Sequence, residues 1–467
     1  NHLDPHYRVF FKGGGDPPAA SDGGASTATA SADGVDGPPN AGDRDASVSR
    51  AGSDAPVPTP LGEQGPADVV DVVPDREHMK RVFDAYEDGA GDALERYLQQ
   101  AEFTYERGME HFVYEDRPRM RDWVDLDVLR NARGLGLLGS MQDHVEGYFD
   151  DPKLRQLVQY SLVFLGGAPT NTPALYNLMS HVDFNLGVHY PEGGIGAVVD
   201  GLVELGAELG VDFHAGKEVT AIEGSAGNFR VAGDGWAMRA DLVVSDADYA
   251  HTEQDLLPAG ARQYDADYWD SRTYAPSAFL LYLGVEGELD ELAHHTLVLP
   301  EDWSRHFDQI FENPAWPDDP AYYLCVPSRT DDSVAPEGHG NLFALVPLAP
   351  GLDDDIEARE QYRDALLADI ADSTGVDLRG RIVVEEHFSV SDFAARYNSR
   401  EGTALGLAHT LRQTGPLRPG HRSSAVDGLY FVGAYTTPGI GMPMCLISGQ
   451  HAADAVLEDH GLEAPWQ

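Results

Sequence analysis

Apolar residues near the C-terminus follow first the pattern of a buried strand and then that of a helix. A short apolar run lies between Gly428 and Gly433 and is bounded by turn residues, which predicts a buried strand. From Met444 to Leu457 the apolar residues recur at helical spacing, and Pro443 suits a first helical turn, where its missing N–H is no loss. A strand that ends at glycine and leads into a helix directs free N–H groups at the gap, where a flat or anionic ligand can approach the backbone.

Strand and helix patterns alternate along the rest of the chain, which predicts the α/β fold class. Helical periods begin at Asp75, which can cap its helix, at Leu94, and at Ile195 after the pair Gly193–Gly194. The strands between residues 219 and 245 are expected to form a small meander. Predicted strands cover residues 3–11, 69–73, 211–214, 219–222, 229–231, 236–239, 242–245, 279–285, 292–299, 322–327, 342–347 and 382–387.

A segment rich in Gly, Ala, Ser, Asp and Pro interrupts the first two strands. It runs from about Gly13 to Asp68 and lacks the apolar content needed for a core, so we expect it to be disordered and dispensable. Because a β-strand pattern lies on each side, the segment is interpreted as an insertion into a β-hairpin.

The charge balance excludes some partners. The chain has 78 acidic and 32 basic residues, a net charge of −46 spread over its whole length. This argues against nucleic acid and against electrostatic binding to anionic lipid. It indicates a protein of a high-salt cytoplasm, where screening weakens self-repulsion.

Metal binding and a transmembrane span are not expected. The two cysteines, Cys325 and Cys445, form no CxxC motif. His294 and His295 are adjacent in a predicted strand and should point to opposite faces, so we predict no metal site. We find no run of about eighteen apolar residues and no signal peptide.

The run from Leu429 to Pro443, LYFVGAYTTPGIGMP, resembles the C-terminal flavin motif of the bacterial-type phytoene desaturases, within the FAD-dependent amine-oxidase-like enzymes. Further matching elements occur in the family order, from LDPHYR at the start through YPEGG at 190–194 to Arg418-Pro419. The resemblance implies an FAD-binding domain like that of glutathione reductase, discontinuous and N-terminally truncated, and a substrate domain of mixed sheet and helices.

The resemblance divides the chain as follows. Residues 1–11 form a substrate-domain strand, 12–68 the insertion, 69–190 a helical substrate- or membrane-facing region, 191–258 and 405–460 parts of the FAD-binding domain, and 259–404 the substrate-domain sheet and helices.

Site residues are carried over from the family on the matching motifs. The expected flavin neighbours are Gly193, Gly194, Val219, Gly433, Ala434, Gly441, Met442 and Pro443. Asp151 and Arg155 match an acid and an arginine of the family and are the candidate catalytic pair, as proton acceptor and partner; the alternative is a surface ion pair between residues i and i+4.

One glycine motif is rejected and another is missing. Gly134-Leu-Gly136-Leu-Leu-Gly139 matches GxGxxG but follows a charged helical stretch rather than a strand, so it is not expected to bind a dinucleotide. The family's N-terminal GxGxxG unit has no counterpart in the sequence given. We therefore interpret the sequence as a fragment that would bind FAD weakly and be inactive alone.

The resemblance implies an oxidoreductase of CH–CH groups that introduces conjugated double bonds into a C40 polyene such as phytoene, with FAD as cofactor and quinone or oxygen as possible electron acceptor. A lipid-soluble substrate implies peripheral membrane contact through apolar surface. Two alternatives remain: a later-step 3,4-desaturase or carotenoid isomerase of the same family, and a non-catalytic carotenoid-binding relic.

Overall fold

The computed structural model describes residues 2–13, 68–117, 136, 139–162, 166–410 and 412–463. Its largest unit is a mixed seven-stranded sheet in the order β11-β7-β10-β9-β8-β1-β2, in which β1 and β8 are parallel and all other neighbours antiparallel. These strands are β1 Tyr7–Phe11, β2 Asp68–Val72, β7 Ser277–Glu286, β8 His295–Leu299, β9 Tyr322–Cys325, β10 His339–Leu348 and β11 Ile382–Phe388.

The first two strands form the predicted hairpin across the insertion. β1 and β2 pair antiparallel, with Phe11 opposite Asp68 and Tyr7 opposite Val72. The predicted disorder of Gly13–Asp68 concerns residues almost all outside the described ranges. The two strands that flank the segment therefore pair with each other directly.

One face of the long central strands packs into the core of the sheet. Leu281 of β7 and Ala344 of β10 have no exposed surface. They share a cluster with Leu366 and Ile370 of the helix Ile356–Thr374. Burial of a leucine side chain stabilises a fold by about 2 kcal/mol, so these contacts hold the sheet to the helix.

Twelve α-helices lie in the described part of the chain. Aspartates cap six of them, because each carboxylate accepts a hydrogen bond from a first-turn N–H: Asp75, Asp151, Asp248, Asp265, Asp302 and Asp355. The predicted cap at Asp75 is confirmed. The helices are α1 Arg76–Tyr86, α2 Ala90–Gly108, α3 Met141–Glu146, α4 Pro152–Gln159, α5 Leu178–His181, α6 Gly196–Glu208, α7 Tyr249–His251, α8 Ala266–Asp270, α9 Trp303–Phe311, α10 Ile356–Thr374, α11 Val390–Tyr397 and α12 Met442–Asp459.

Two smaller sheets complete the fold. β3 Ala221–Glu223, β4 Phe229–Gly233 and β5 Trp236–Ala240 form an antiparallel sheet, while β6 Val243–Ser245 pairs in parallel with β12 Leu429–Phe431. The prediction that the strand at 242–245 completes the meander is therefore wrong. Its pairing partner lies almost two hundred residues later, and no local pattern indicates that distance.

The predicted strand at 211–214 is also wrong, because these residues have no regular secondary structure and pair with no strand of the described chain. Val211 and Phe213 are about half exposed. The neighbouring helix α6 is helical as predicted, yet it buries no residue among those described. Its apolar side chains, including Leu202 at 47% exposure, face outward.

Candidate flavin site

The strands β6 and β12 end side by side, and the loop after β12 starts at a glycine that the geometry requires. Gly433 has φ +93°, and a Cβ there would lie 2.5 Å from Asp246 Oδ1, at the end of β6. The Gly433 N–H donates to Ser448 Oγ of α12 at 2.9 Å. Carboxyl ends of neighbouring parallel strands form the crevice in which α/β proteins bind cofactors.

A buried arginine fixes the shape of this loop. Arg418 is 6% exposed. Its guanidinium donates to the carbonyls of Leu407, Gln413, Ala434 and Thr436 at 2.6–3.2 Å. Burial lowers its pKa to about 10, so it remains a cation at neutral pH. One side chain therefore connects Leu407 and Gln413 to the glycine-rich loop that follows β12.

A histidine joins the same loop to the helical layer. His409 Nε2 accepts the Ile440 N–H at 3.0 Å, and Nδ1 is hydrogen-bonded to the Tyr176 hydroxyl. Burial and then the Arg418 charge lower the pKa of His409 well below its usual value, so the ring is neutral. Because Nε2 accepts, the ring proton lies on Nδ1 and is donated to Tyr176.

The second glycine of the loop opens helix α12. Gly441 has φ +118°, and Gly441, Met442 and Pro443 are exposed. Pro443 lies in the first turn, as predicted. Ala434 is half-buried against the Ala275–Ala408–Ile440 cluster. An exposed helix N-terminus beside a glycine-bounded crevice fits a flat ligand with polar ring atoms, which is the chemistry of a flavin.

The other predicted flavin neighbours lie on separate elements. Gly193 and Gly194 have φ near +80° before α6. The Gly193 N–H donates to Asp331 Oδ2 at 3.0 Å. Val219 lies just before β3 and is half-buried against the core around Trp269. Their contact with a flavin remains a prediction.

Asp151 and Arg155 have structural contacts of their own. The Asp151 carboxylate accepts the Lys153 and Leu154 N–H groups at 2.8 and 3.1 Å. The Arg155 guanidinium donates to the Phe149 carbonyl at 2.7 Å. It forms ion pairs with Glu146 and Asp150, so the predicted alternative of an Asp151–Arg155 ion pair is wrong. Their catalytic role stays a prediction.

Two cavities share Trp303 of helix α9 as a lining residue. The smaller, of about 20 Å³, lies between the helical layer and the large sheet, is almost wholly apolar and is lined by Tyr160, Leu297 and Trp303 among others. The larger cleft, of about 450 Å³, lies between helices, and Arg155 lies on its wall. The shared tryptophan makes the two spaces neighbours.

A buried carboxyl group at this layer escaped prediction. Asp183 is 7% exposed, and burial raises its pKa to about 7, while a hydrogen bond with Tyr160 opposes the shift. His6 Nδ1 is hydrogen-bonded to the Asp183 carbonyl at 2.9 Å. Asp183 is the only carboxylate between Asp151 and Glu192 in a very acidic chain, and this isolation was the available signal.

The crevice, the glycines and the α/β architecture define a flavin-binding class of protein. The model of the family "flavin containing amine oxidoreductase" matches residues 61–457. The chain belongs to this family, so the predicted flavin cofactor, FAD, is confirmed.

Two related proteins show which enzymes within this family the chain resembles. A carotenoid 3,4-desaturase of Haloarcula japonica is 65% identical over 84% of this chain and 80% of its own length. A zeta-carotene-forming phytoene desaturase of Myxococcus xanthus is 32% identical over 81% of this chain and 74% of its own. The predicted likeness to carotenoid desaturases is thus confirmed.

The fold also matches solved structures. A putrescine oxidase mutant from a redesign of cofactor binding has a TM-score of 0.50, with 14% identity over 80% of this chain and 76% of its own. This supports the predicted fold class. In the described part of the chain, none of the helices is long and apolar enough to cross a membrane.

Proposed function

We propose that the chain is an FAD-dependent carotenoid desaturase of a late step, which forms the 3,4 double bond of an acyclic C40 carotenoid. The observation that carries this step is the 65% identity to the Haloarcula japonica carotenoid 3,4-desaturase. The identity to the phytoene desaturase is half as high, at 32%. Desaturation of phytoene itself is therefore the second candidate.

Bound FAD supplies the acceptor for a hydride from an allylic carbon, while a proton leaves the neighbouring carbon. The residues Gly433, Ala434, Gly441, Met442 and Pro443 would hold the ring system. Arg418 keeps their loop in one shape, so little ordering remains to be done when the ligand binds.

The substrate requires an apolar space that excludes water. The cavity at Tyr160 and Trp303 has an apolar and aromatic lining, but its volume of about 20 Å³ is too small for a polyene as it stands. The neighbouring cleft, of about 450 Å³, is the larger space, so we propose that a long chain enters there and widens the apolar cavity when it binds.

Product analysis tests the function. The protein, reconstituted with FAD in molar salt, is given an acyclic carotenoid saturated at the 3,4 position, or phytoene, in vesicles. We expect the first substrate to lose two hydrogens and gain one conjugated double bond. Conversion of phytoene alone would overturn the 3,4 assignment. A product of unchanged mass would indicate an isomerase, and flavin uptake without conversion of either substrate would favour the binding relic.

Two substitutions distinguish a catalytic role of Asp151 from its role as a helix cap. Asparagine caps helices as well as aspartate but carries no charge. If Asp151 accepts the proton, Asp151→Asn lowers kcat by roughly 100-fold with unchanged stability. If it only caps the helix, Asp151→Asn is fully active, whereas Asp151→Ala loses about 1 kcal/mol of stability. Arg155→Gln tests the partner role in the same assay.

Peripheral membrane contact through apolar surface belongs to the same proposal. A lipid-soluble substrate and a net charge of −46 favour apolar over electrostatic attachment. Flotation with zwitterionic vesicles should persist in molar salt, and loss of flotation at high salt would contradict it. Quinone and oxygen are the proposed electron acceptors, distinguishable by turnover under anaerobic conditions with added quinone.

A further inference from the structure

Two histidines and a cysteine converge at one end of the large sheet. His294 precedes β8, His295 is its first residue, and Cys325 is the register partner of His295 on β9. One ligand atom of each lies within 4.8 Å of the others. The imidazole rings are 4.5 Å apart. The expectation that these rings point apart is wrong, because strand alternation begins only at His295.

Hydrogen bonds orient both rings. His295 Nδ1 is bonded to the Tyr323 hydroxyl at 2.6 Å, and His294 Nδ1 to Thr330 Oγ1 at 2.7 Å. His294 is 4% exposed, and its Nε2 is buried without a hydrogen-bond partner. Metal-binding histidines are usually held in this way, with one ring nitrogen bonded to a neighbouring group and the other directed at the ion.

We propose that His294, His295 and Cys325 bind one Zn²⁺ ion, with water as the fourth ligand. Two imidazoles and a thiolate are the borderline-soft donors that Zn²⁺ prefers, and three protein ligands with one open position are a recognised zinc arrangement. Binding converts the Cys325 S–H bond to an S–Zn bond and releases one proton to solvent.

The ion would fasten the turn before α6, which holds the predicted flavin neighbour Gly193, to the sheet. Thr330, which holds His294, is followed by Asp331, whose carboxylate accepts the Gly193 N–H at 3.0 Å. The ring of Tyr190, in the same turn, lies 4.5 Å from that of His294. Occupancy of the zinc site therefore restrains Tyr190 and Gly193 from two directions.

The test is a Co²⁺ titration of the full chain after chelator treatment, because Co²⁺ reports thiolate ligation by a charge-transfer absorption. We expect a thiolate band that saturates at one Co²⁺ and disappears when Zn²⁺ is added. Cys325→Ser should abolish the band, and Cys445→Ser, which removes the other thiol, should retain it. Tyr323→Phe should weaken Co²⁺ binding by about 10- to 100-fold.

Three results would overturn the proposal: no thiolate band in the wild type, a band that survives Cys325→Ser, or a band lost in Cys445→Ser. Asp116, His421 and His451 form a second group of possible ligands, without sulfur. Co²⁺ bound there gives no thiolate band and is lost in His451→Gln.

If Cys325→Ser folds poorly, a second measurement still tests the zinc site. The thermal midpoints of the wild type and of Cys445→Ser, measured with and without Zn²⁺, give an independent answer. Both midpoints should rise with Zn²⁺. An unchanged midpoint in both would contradict the site.

Discussion

The seven-stranded sheet and the elements α6 and β6 bury their apolar residues very differently. Leu281 in the middle of the sheet has no exposed surface, whereas Leu202 on helix α6 keeps 47% of its surface exposed. Likewise β6 has one neighbour among the described strands, and its Val244 is 51% exposed. An apolar pattern thus predicts an element correctly without predicting what covers it. The free energy of unfolding should therefore respond differently to the same substitution in these two regions.

The largest expected effect is a matched pair of leucine truncations. Leu281→Ala should lower the free energy of unfolding by about 4 kcal/mol, because it leaves a cavity in a packed sheet. Leu202→Ala should lower it by less than about 0.5 kcal/mol, since little burial is lost. Denaturant unfolding in molar salt measures both. A cost for Leu202→Ala close to that of Leu281→Ala would mean that the α6 face is covered in solution.

Replacement of the buried Arg418 tests how far the candidate flavin site depends on buried hydrogen bonds. Arg418→Met leaves four buried carbonyls without their donor, and we expect a loss of about 3 kcal/mol together with loss of bound flavin. Arg379→Met is the control, because that side chain is 53% exposed and solvent screens its ion pair with Asp377, so its loss should have little effect. Equal costs for the two substitutions would contradict the role assigned to Arg418.

The stability of the protein should depend on pH through Asp183, a buried carboxyl group in the helical layer. Asp183 keeps its proton in the folded state up to about pH 7, whereas the unfolded carboxyl releases it above 3.8. The folded state therefore binds more protons between these values, and stability falls as the pH rises.

We expect Asp183→Asn to be more stable than the wild type at pH 8 by on the order of 2 kcal/mol. The difference should narrow as the pH falls to 5. Thermal midpoints at constant salt provide the measurement, and a difference independent of pH would contradict a protonated Asp183.

The smallest effect is expected from deletion of residues 14–67. Joining Gly13 to Asp68 makes Lys12-Gly13 a two-residue turn between the register partners Phe11 and Asp68, and Gly13 already has φ +70°. We expect a change in unfolding free energy within about 0.5 kcal/mol. A large fall in the thermal midpoint would show that the segment supports the sheet.

Sequence reasoning succeeded where the cause is local. The cap at Asp75, the first-turn Pro443 and the glycine-bounded strand before it all depend on residues within one turn of each other. It failed where the cause is distant. The bond between Tyr176 and His409 spans 233 residues, and so has no local signal.

The site was predicted in the same uneven way. The C-terminal glycines lie in the crevice region because their motif carries its own geometry. Asp183 was overlooked because its burial is decided by Tyr160 and the layers around it. His294 and His295 were misjudged because the start of β8 could not be fixed to a single residue.

The six aspartate caps carry an evolutionary consequence. Aspartate and asparagine cap helices about equally well. A lineage entering or leaving brine can therefore exchange the two at Asp75, Asp265, Asp302 and Asp355, one nucleotide change at a time, with every helix start preserved. Substitutions at such positions change the net charge of the protein without changing the fold, so they can accumulate during adaptation to a different salt concentration.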